Sequence, residues 1–158
     1  MEARVLFPRL KSVVRIPSPG EADVSFLADT GADRTTIMPS DLSRFLVNES
    51  QLTNTIEVTG VSGKGKCYLE QAVVTFCEVG IALRVYVLEV IIMENAPGID
   101  VCPSLLGRDI MSNWCMTFDK PSNRFTARVA RADHTFKLAK GKPAMASLSG
   151  ISPPVLRA

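Results

Sequence analysis

The chain has 158 residues, enough for one domain with a substantial core. Hydrophobic residues make up 46% and charged residues 22%, the composition of a folded globular protein rather than of a disordered segment. The net charge is +2, but residues 127–158 carry six basic side chains against Asp133 alone; removing that +5 leaves −3 for residues 1–126, and such a body lacks the basic face of a nucleic-acid-binding fold.

Near the start, Arg4, Arg9, Lys11 and Arg15 interrupt the apolar residues. No secretory core forms there, and the expected location is the cytoplasm. Residues 12–16 read as a strand, Pro17-Ser18-Pro19-Gly20 as a turn, and residues 22–28 as an apolar strand. Pro39-Ser40-Asp41-Leu42 predicts a short helix running towards Phe45, with proline in its first turn. Residues 55–59 alternate, and the glycine-rich run from Gly60 to Gly65 follows. Residues 68–77 and 83–92 are rich in β-branched and aromatic side chains and read as strands.

The most apolar stretch spans residues 79–93. Arg84 and Glu89 interrupt it, and it is shorter than the ~20 residues of a membrane helix. Asn95-Ala96-Pro97-Gly98 breaks the chain. Residues 105–114 predict a second helix. Residues 116–119 and 124–129 flank Lys120-Pro121-Ser122-Asn123, a hairpin turn. Residues 134–138 alternate weakly and could add a strand. From about Lys140 the composition reads as a flexible tail. The expected division is therefore one domain over residues 1–126 and a basic extension over 127–158. No internal repeat occurs.

Four cysteines stand at positions 67, 77, 102 and 115 without CxxC spacing, and His134 is the only histidine. That set does not make a zinc site, so no metal and no other cofactor is expected. Buried, reduced thiols are the ordinary reading. A Ser or Cys nucleophile would need a histidine base, and His134 reads as a surface or strand residue. The run Gly60-Val61-Ser62-Gly63-Lys64-Gly65-Lys66 matches most of a phosphate-binding loop. Cys67 stands where the magnesium-binding Ser or Thr belongs, however, and a strand rather than a helix is expected next.

Chemistry concentrates at Phe26-Leu27-Ala28-Asp29-Thr30-Gly31-Ala32, an apolar strand running into an acidic turn. Gly31 permits the turn and a close approach by another chain. Alone, Asp-Thr-Gly reads more simply as an Asx-type turn ending a strand. Its context, with two later segments, resembles the retropepsins, the retroviral-type aspartic peptidases. The first matching block is Leu27-Ala28-Asp29-Thr30-Gly31-Ala32-Asp33. The second is Val58-Thr59-Gly60-Val61-Ser62-Gly63, similar to the family's flap tip. The third is Leu105-Leu106-Gly107-Arg108-Asp109-Ile110-Met111, similar to the segment opening the family's helix. The strand of Met116, Thr117, Phe118 and Asp119 also fits. The blocks follow the family's order over roughly residues 12–126.

The resemblance implies a mainly β fold: a closed retropepsin-like barrel or sandwich with a flap hairpin and one or two short helices, active as a homodimer. Asp29 would be the catalytic carboxylate. Thr30 would bond across the dimer, with Gly31 and Ala32 completing the loop. Asp33 would bind the peptide main chain, supported by an ion pair with Arg108. Gly60, Val61, Ser62 and Gly63 would form the flap. Ser62, Lys64 and Arg34 depart from common viral patterns, which bears on flap mobility and side-chain preference.

Two adjacent carboxylates can activate a water and protonate a leaving amine, because like charges so close share one proton. One chain supplies one such aspartate, and a two-fold axis would supply the second. The expected partners are a second copy and a peptide or protein substrate, with neither membrane nor nucleic acid. Asp41 and Asp109, outside the Thr-Gly context, read as solvated helix positions. The rival function is a catalytically silent peptide-binding and dimerisation module of the same fold.

Overall fold

A computed structural model describes residues 9–16, 20–45, 54–60, 63–96, 101–122 and 124–138, with residues 50, 52 and 99. The expected turn at 17–19, the tip residues Val61 and Ser62, positions 97–98 of the expected break and the segment from Lys140 onward lie outside these residues.

The alternating pattern at the N-terminal end forms β1 (Arg9–Ile16), whose Ser12, Val14 and Ile16 are buried. It pairs antiparallel with β2 (Gly20–Ala28), which buries Ala22, Val24 and Phe26 on the same face. Gly20 is required by close approach, since a Cβ there would lie 2.2 Å from the Phe45 carbonyl oxygen. After the turn come β3 (Thr36–Ile37), α1 (Pro39–Leu42) and a 3-10 turn (Ser43–Phe45). The hairpin of β4 (Thr55–Gly60) and β5 (Gly63–Glu78) pairs as far as Gly60 opposite Gly63. Next comes β6 (Ala82–Met93), paired with β5 along its length. Then follow β7 (Leu105–Leu106), α2 (Arg108–Met111), β8 (Trp114–Asp119), β9 (Arg124–Val129) and β10 (His134–Lys137).

The large sheet runs β6-β3-β7-β2-β1-β5, and β5 pairs back onto β6. Those six strands close a barrel, with β10 added beyond β6 and β4 beyond β5. Inside lie Val14, Val24, Phe26, Ile37, Val74, Val90, Ile92 and Leu106, with Phe45, Ile110 and Met111 packed from the helical segments. A fully buried side chain of this size contributes about 1.5–3 kcal/mol. The mainly β, closed-barrel expectation holds. A strand through residues 63–78 also removes the helix that a phosphate-binding loop requires.

Three expectations are corrected. The second helix is one turn, Arg108–Met111, because Leu105 and Leu106 pair with β2 and β3 and Trp114 begins β8. Asp41 is not solvated. It is buried, accepting at 2.7 Å from the Ser104 hydroxyl, which itself accepts from the Met38 amide at 3.0 Å. The expectation of buried thiols holds for one of the four cysteines: Cys67 is buried, Cys102 half-buried, and Cys77 and Cys115 exposed. Burial, aided by the charge of Glu94, pushes the Cys67 thiol up.

The chain beyond residue 126 continues the fold as far as Leu138. β9 runs through that position, and β10 pairs antiparallel with β6. The join is a polar relay. Trp114 Nε1 donates to the Tyr86 hydroxyl at 2.6 Å, and that hydroxyl donates to the Arg131 carbonyl at 3.0 Å. Asp133 accepts from the Val87 amide at 2.8 Å.

Burial, the largest influence, raises the Tyr86 phenol above its ordinary range; Asp133 adds to the rise, while Trp114 and Arg84 oppose it. The folded state therefore holds this proton more tightly than the unfolded state, so the stability is intact below the ordinary tyrosine range and is lost as pH rises through the folded value. Tyr86→Phe is expected to cost about 1–3 kcal/mol at neutral pH, because Trp114 and Arg131 lose their partner. It should also flatten the alkaline fall in stability. Denaturant midpoints of both proteins from neutral to alkaline pH check this, and parallel pH curves would refute it.

Candidate active site

Asp29 follows directly on β2, and its position is set by a neighbouring strand. Leu27 and Ala28 pair in parallel with Leu105 and Leu106 of β7. The Leu27 amide donates to the Ser104 carbonyl at 2.8 Å, and the Asp29 amide donates to the Leu106 carbonyl at 3.1 Å. The chain then turns. The Ala32 amide returns to the Asp29 carbonyl at 3.2 Å, and the Gly31 amide donates to Asp29 Oδ1 at 2.8 Å. The Asx-type turn is thus present, and it fixes the carboxylate while leaving Asp29 only half-buried.

A second segment clamps the loop from below. The Arg108 amide donates to the Ala32 carbonyl at 2.9 Å, and the Asp109 amide to the Asp33 carbonyl at 3.1 Å. The Asp109 carboxylate accepts from the Thr35 amide and hydroxyl, both at 2.7 Å, and from the Ile110 amide at 2.9 Å. Thr35 is fully buried, and its hydroxyl also accepts from the Gly107 amide at 3.2 Å. At Gly107 a Cβ would stand 2.3 Å from the Arg34 carbonyl carbon and 2.6 Å from the Thr35 nitrogen, so only glycine fits. Asp109 is therefore a tie between the two loops, not a solvated helix residue.

The other anticipated residues fall as follows. Thr30, Gly31 and Asp33 are exposed, with Ala32 half-buried. Asp33 and Arg108 form a close ion pair in which both side chains are more than half exposed. Arg34 pairs with Glu89 of β6 at 3.3 Å. In the expected flap, backbone pairing reaches Gly60 and Gly63, while Val61 and Ser62 lie outside the described residues. Among the described residues no cluster of three or more His, Cys, Asp or Glu could hold a metal. Nor is any helix there long and apolar enough to cross a membrane.

With one carboxylate held at the end of a strand, half-open to water and rigid from behind, the loop can present an acid to a second such group. A family model described as aspartyl protease matches residues 14–110, which spans the Asp29 loop, the β4–β5 hairpin and the Gly107–Asp109 clamp. The chain belongs to the aspartyl protease family. Among curated proteins no relative matches. Among solved structures, the chain is similar to EIAV protease complexed with the inhibitor HBY-793. The identity is 18% over 71% of this chain and 91% of that one, with a TM-score of 0.44.

Thr35, Gly107, Asp109 and Glu89 escaped the sequence reading as site-building residues. Asp109 and Gly107 stood in the third matching block, but nothing local showed their partners, and an acidic residue in the first turn of a helix is commonplace. Two substitutions separate the half-buried tie from the exposed pair. Asp109→Ala leaves three donors without their acceptor and is expected to cost on the order of 3 kcal/mol. Asp33→Asn loosens an ion pair open to solvent and should cost less than about 1 kcal/mol. Thermal or denaturant unfolding of both variants checks the ranking, which equal losses would contradict.

Proposed function

We propose that the protein is an aspartic endopeptidase whose catalytic pair forms when two copies bring their Asp29 loops together. The observation that carries this reading is the Asp29-Thr30-Gly31 loop itself. It is pinned by β7 and the Asp109 tie, yet exposed at Thr30 and Gly31, in a chain of the aspartyl protease family. Rigid support behind and open surface in front suit a group that must meet its twin and a substrate.

In the pair, one carboxylate takes a proton from water while the other, protonated, polarises the scissile carbonyl and later supplies the leaving nitrogen. Thr30 would bond to the opposite loop and hold the two aspartates in register. Asp33, steadied by Arg108, would take the main chain of an extended peptide. The β4–β5 hairpin, with Gly60, Val61, Ser62 and Gly63 at its tip, would close over that peptide and exclude water.

Cleavage of a mixed peptide library by wild type and by Asp29→Asn, from acidic to neutral pH, tests the proposal. Wild-type turnover should fall by roughly 10³-fold or more in the variant. It should also decline on both sides of an optimum, where the pair loses its proton or gains a second. Sedimentation should show a dimer. Peptide binding without turnover in either protein would replace the peptidase reading with that of a binding module.

A further inference from the structure

β8 and β9 form a sheet of their own. Among the described residues each pairs with the other and with no strand of the barrel. Directly opposed residues share a face, so Trp114 with Val129, Met116 with Ala127 and Phe118 with Phe125 make one apolar row along the hairpin. The opposite face is polar and ends in Asp119 facing Arg124. The apolar row starts on the barrel core, where Trp114, Met116 and Val129 pack. It then runs past that core: Ala127 is exposed, and Phe118 at the far end is 53% exposed. Large apolar side chains gathered on one face call for a cover. The unpaired edge of a strand is also a template for another strand. A lone two-stranded hairpin is marginal in water, whereas a sheet of three or more strands with an apolar face is not.

The base of this hairpin is tied to the Asp29 site. The Asn113 carbonyl accepts from the Ala130 amide at 2.9 Å and the Arg131 amide at 3.1 Å, closing the hairpin. The Asn113 side-chain amide donates to the Asp109 and Ile110 carbonyls at 3.2 and 3.3 Å. Asp109 in turn holds Thr35 and, through its amide, the Asp33 carbonyl. One residue therefore joins the hairpin to the clamp behind the catalytic loop. If that loop meets the loop of a second copy, the molecule arriving there carries an identical hairpin at the same place. A two-fold axis perpendicular to a sheet sets two identical strands antiparallel, so the hairpin can complete itself with its twin.

We propose that the β8–β9 hairpin is the arm by which two copies hold each other. The arms pair edge to edge about the two-fold axis into a four-stranded antiparallel sheet, and Phe118 and Phe125 are covered by the second copy. The inference rests on the dimeric reading of the Asp29 site and adds where the two molecules grip.

Sedimentation velocity over a concentration series, with peptide cleavage measured in parallel, compares the full-length wild type with Phe118→Asp. A charge at a covered aromatic position should raise the dimer Kd by about tenfold or more, and turnover at low concentration should fall with the loss of dimer. Unchanged Trp114 emission would show that the barrel and the base of the hairpin remain folded. A Phe118→Asp protein that dimerises like wild type would overturn the proposal, as would a wild type that stays monomeric at every concentration. Hydrogen exchange of the wild type alone gives an independent check. Backbone amides of β8 and β9 should exchange at least several-fold more slowly in concentrated than in dilute protein, and equal rates in a confirmed dimer would refute the arm. The two readings fail separately. A dimer that depends on Phe118 but cleaves nothing keeps the arm and removes the peptidase. Turnover and dimer untouched by Phe118→Asp remove the arm and keep the peptidase.

Discussion

The carboxylate of Asp109 is the fixed point on which the site rests. One short helical turn offers it, and the buried Thr35 answers with both its amide and its hydroxyl. Because the Thr35 hydroxyl also serves the Gly107 amide, two loops remote in sequence are joined by a network that leaves few alternatives. A buried polar network is stable when its members are satisfied and costly when one is missing. Without this tie, the backbone bonds from Arg108 and Asp109 to Ala32 and Asp33 would have no rigid base. The turn carrying Asp29 would then be an ordinary surface loop.

The barrel extends the same logic. Parallel pairing of β2 with the two-residue strand β7 places Asp29 at the point where a core strand emerges. Phe26, immediately inside, is fully buried, while Thr30, immediately outside, is exposed. Over four residues the chain crosses from core to solvent, and the acid sits between. That gradient suits a group that must be held firmly and still reach water.

Much of this was legible in the sequence because strand alternation and glycine-proline punctuation are local signals. β2, β4, β6 and β9 fall within two residues of their expected spans, β1 and β5 begin three and five residues earlier than expected, and the Asp-Thr-Gly loop stands at the end of its strand. What was hidden depends on distant partners. Leu105 and Leu106 carry a pattern compatible with a helix, and only pairing with β2 and β3 makes them a strand. Asp41 and Asp109 look like solvated acids because nothing nearby in sequence reveals the Ser104 hydroxyl or the Thr35 donors. The reach of β10 onto β6 was half-visible as weak alternation. The Tyr86 relay behind it joins residues that no periodicity links.

That relay has an optical consequence. Trp114 is the only tryptophan in the chain. Its ring stands edge-on to Phe76 with centroids 5.1 Å apart, and its nitrogen is bonded to Tyr86. Intrinsic fluorescence therefore views the molecule from the seam where the barrel, the β8–β9 hairpin and the C-terminal strand meet. An emission change reports the opening of that seam, and motion of the Asp29 loop, which contains no fluorophore of its own, calls for a different probe.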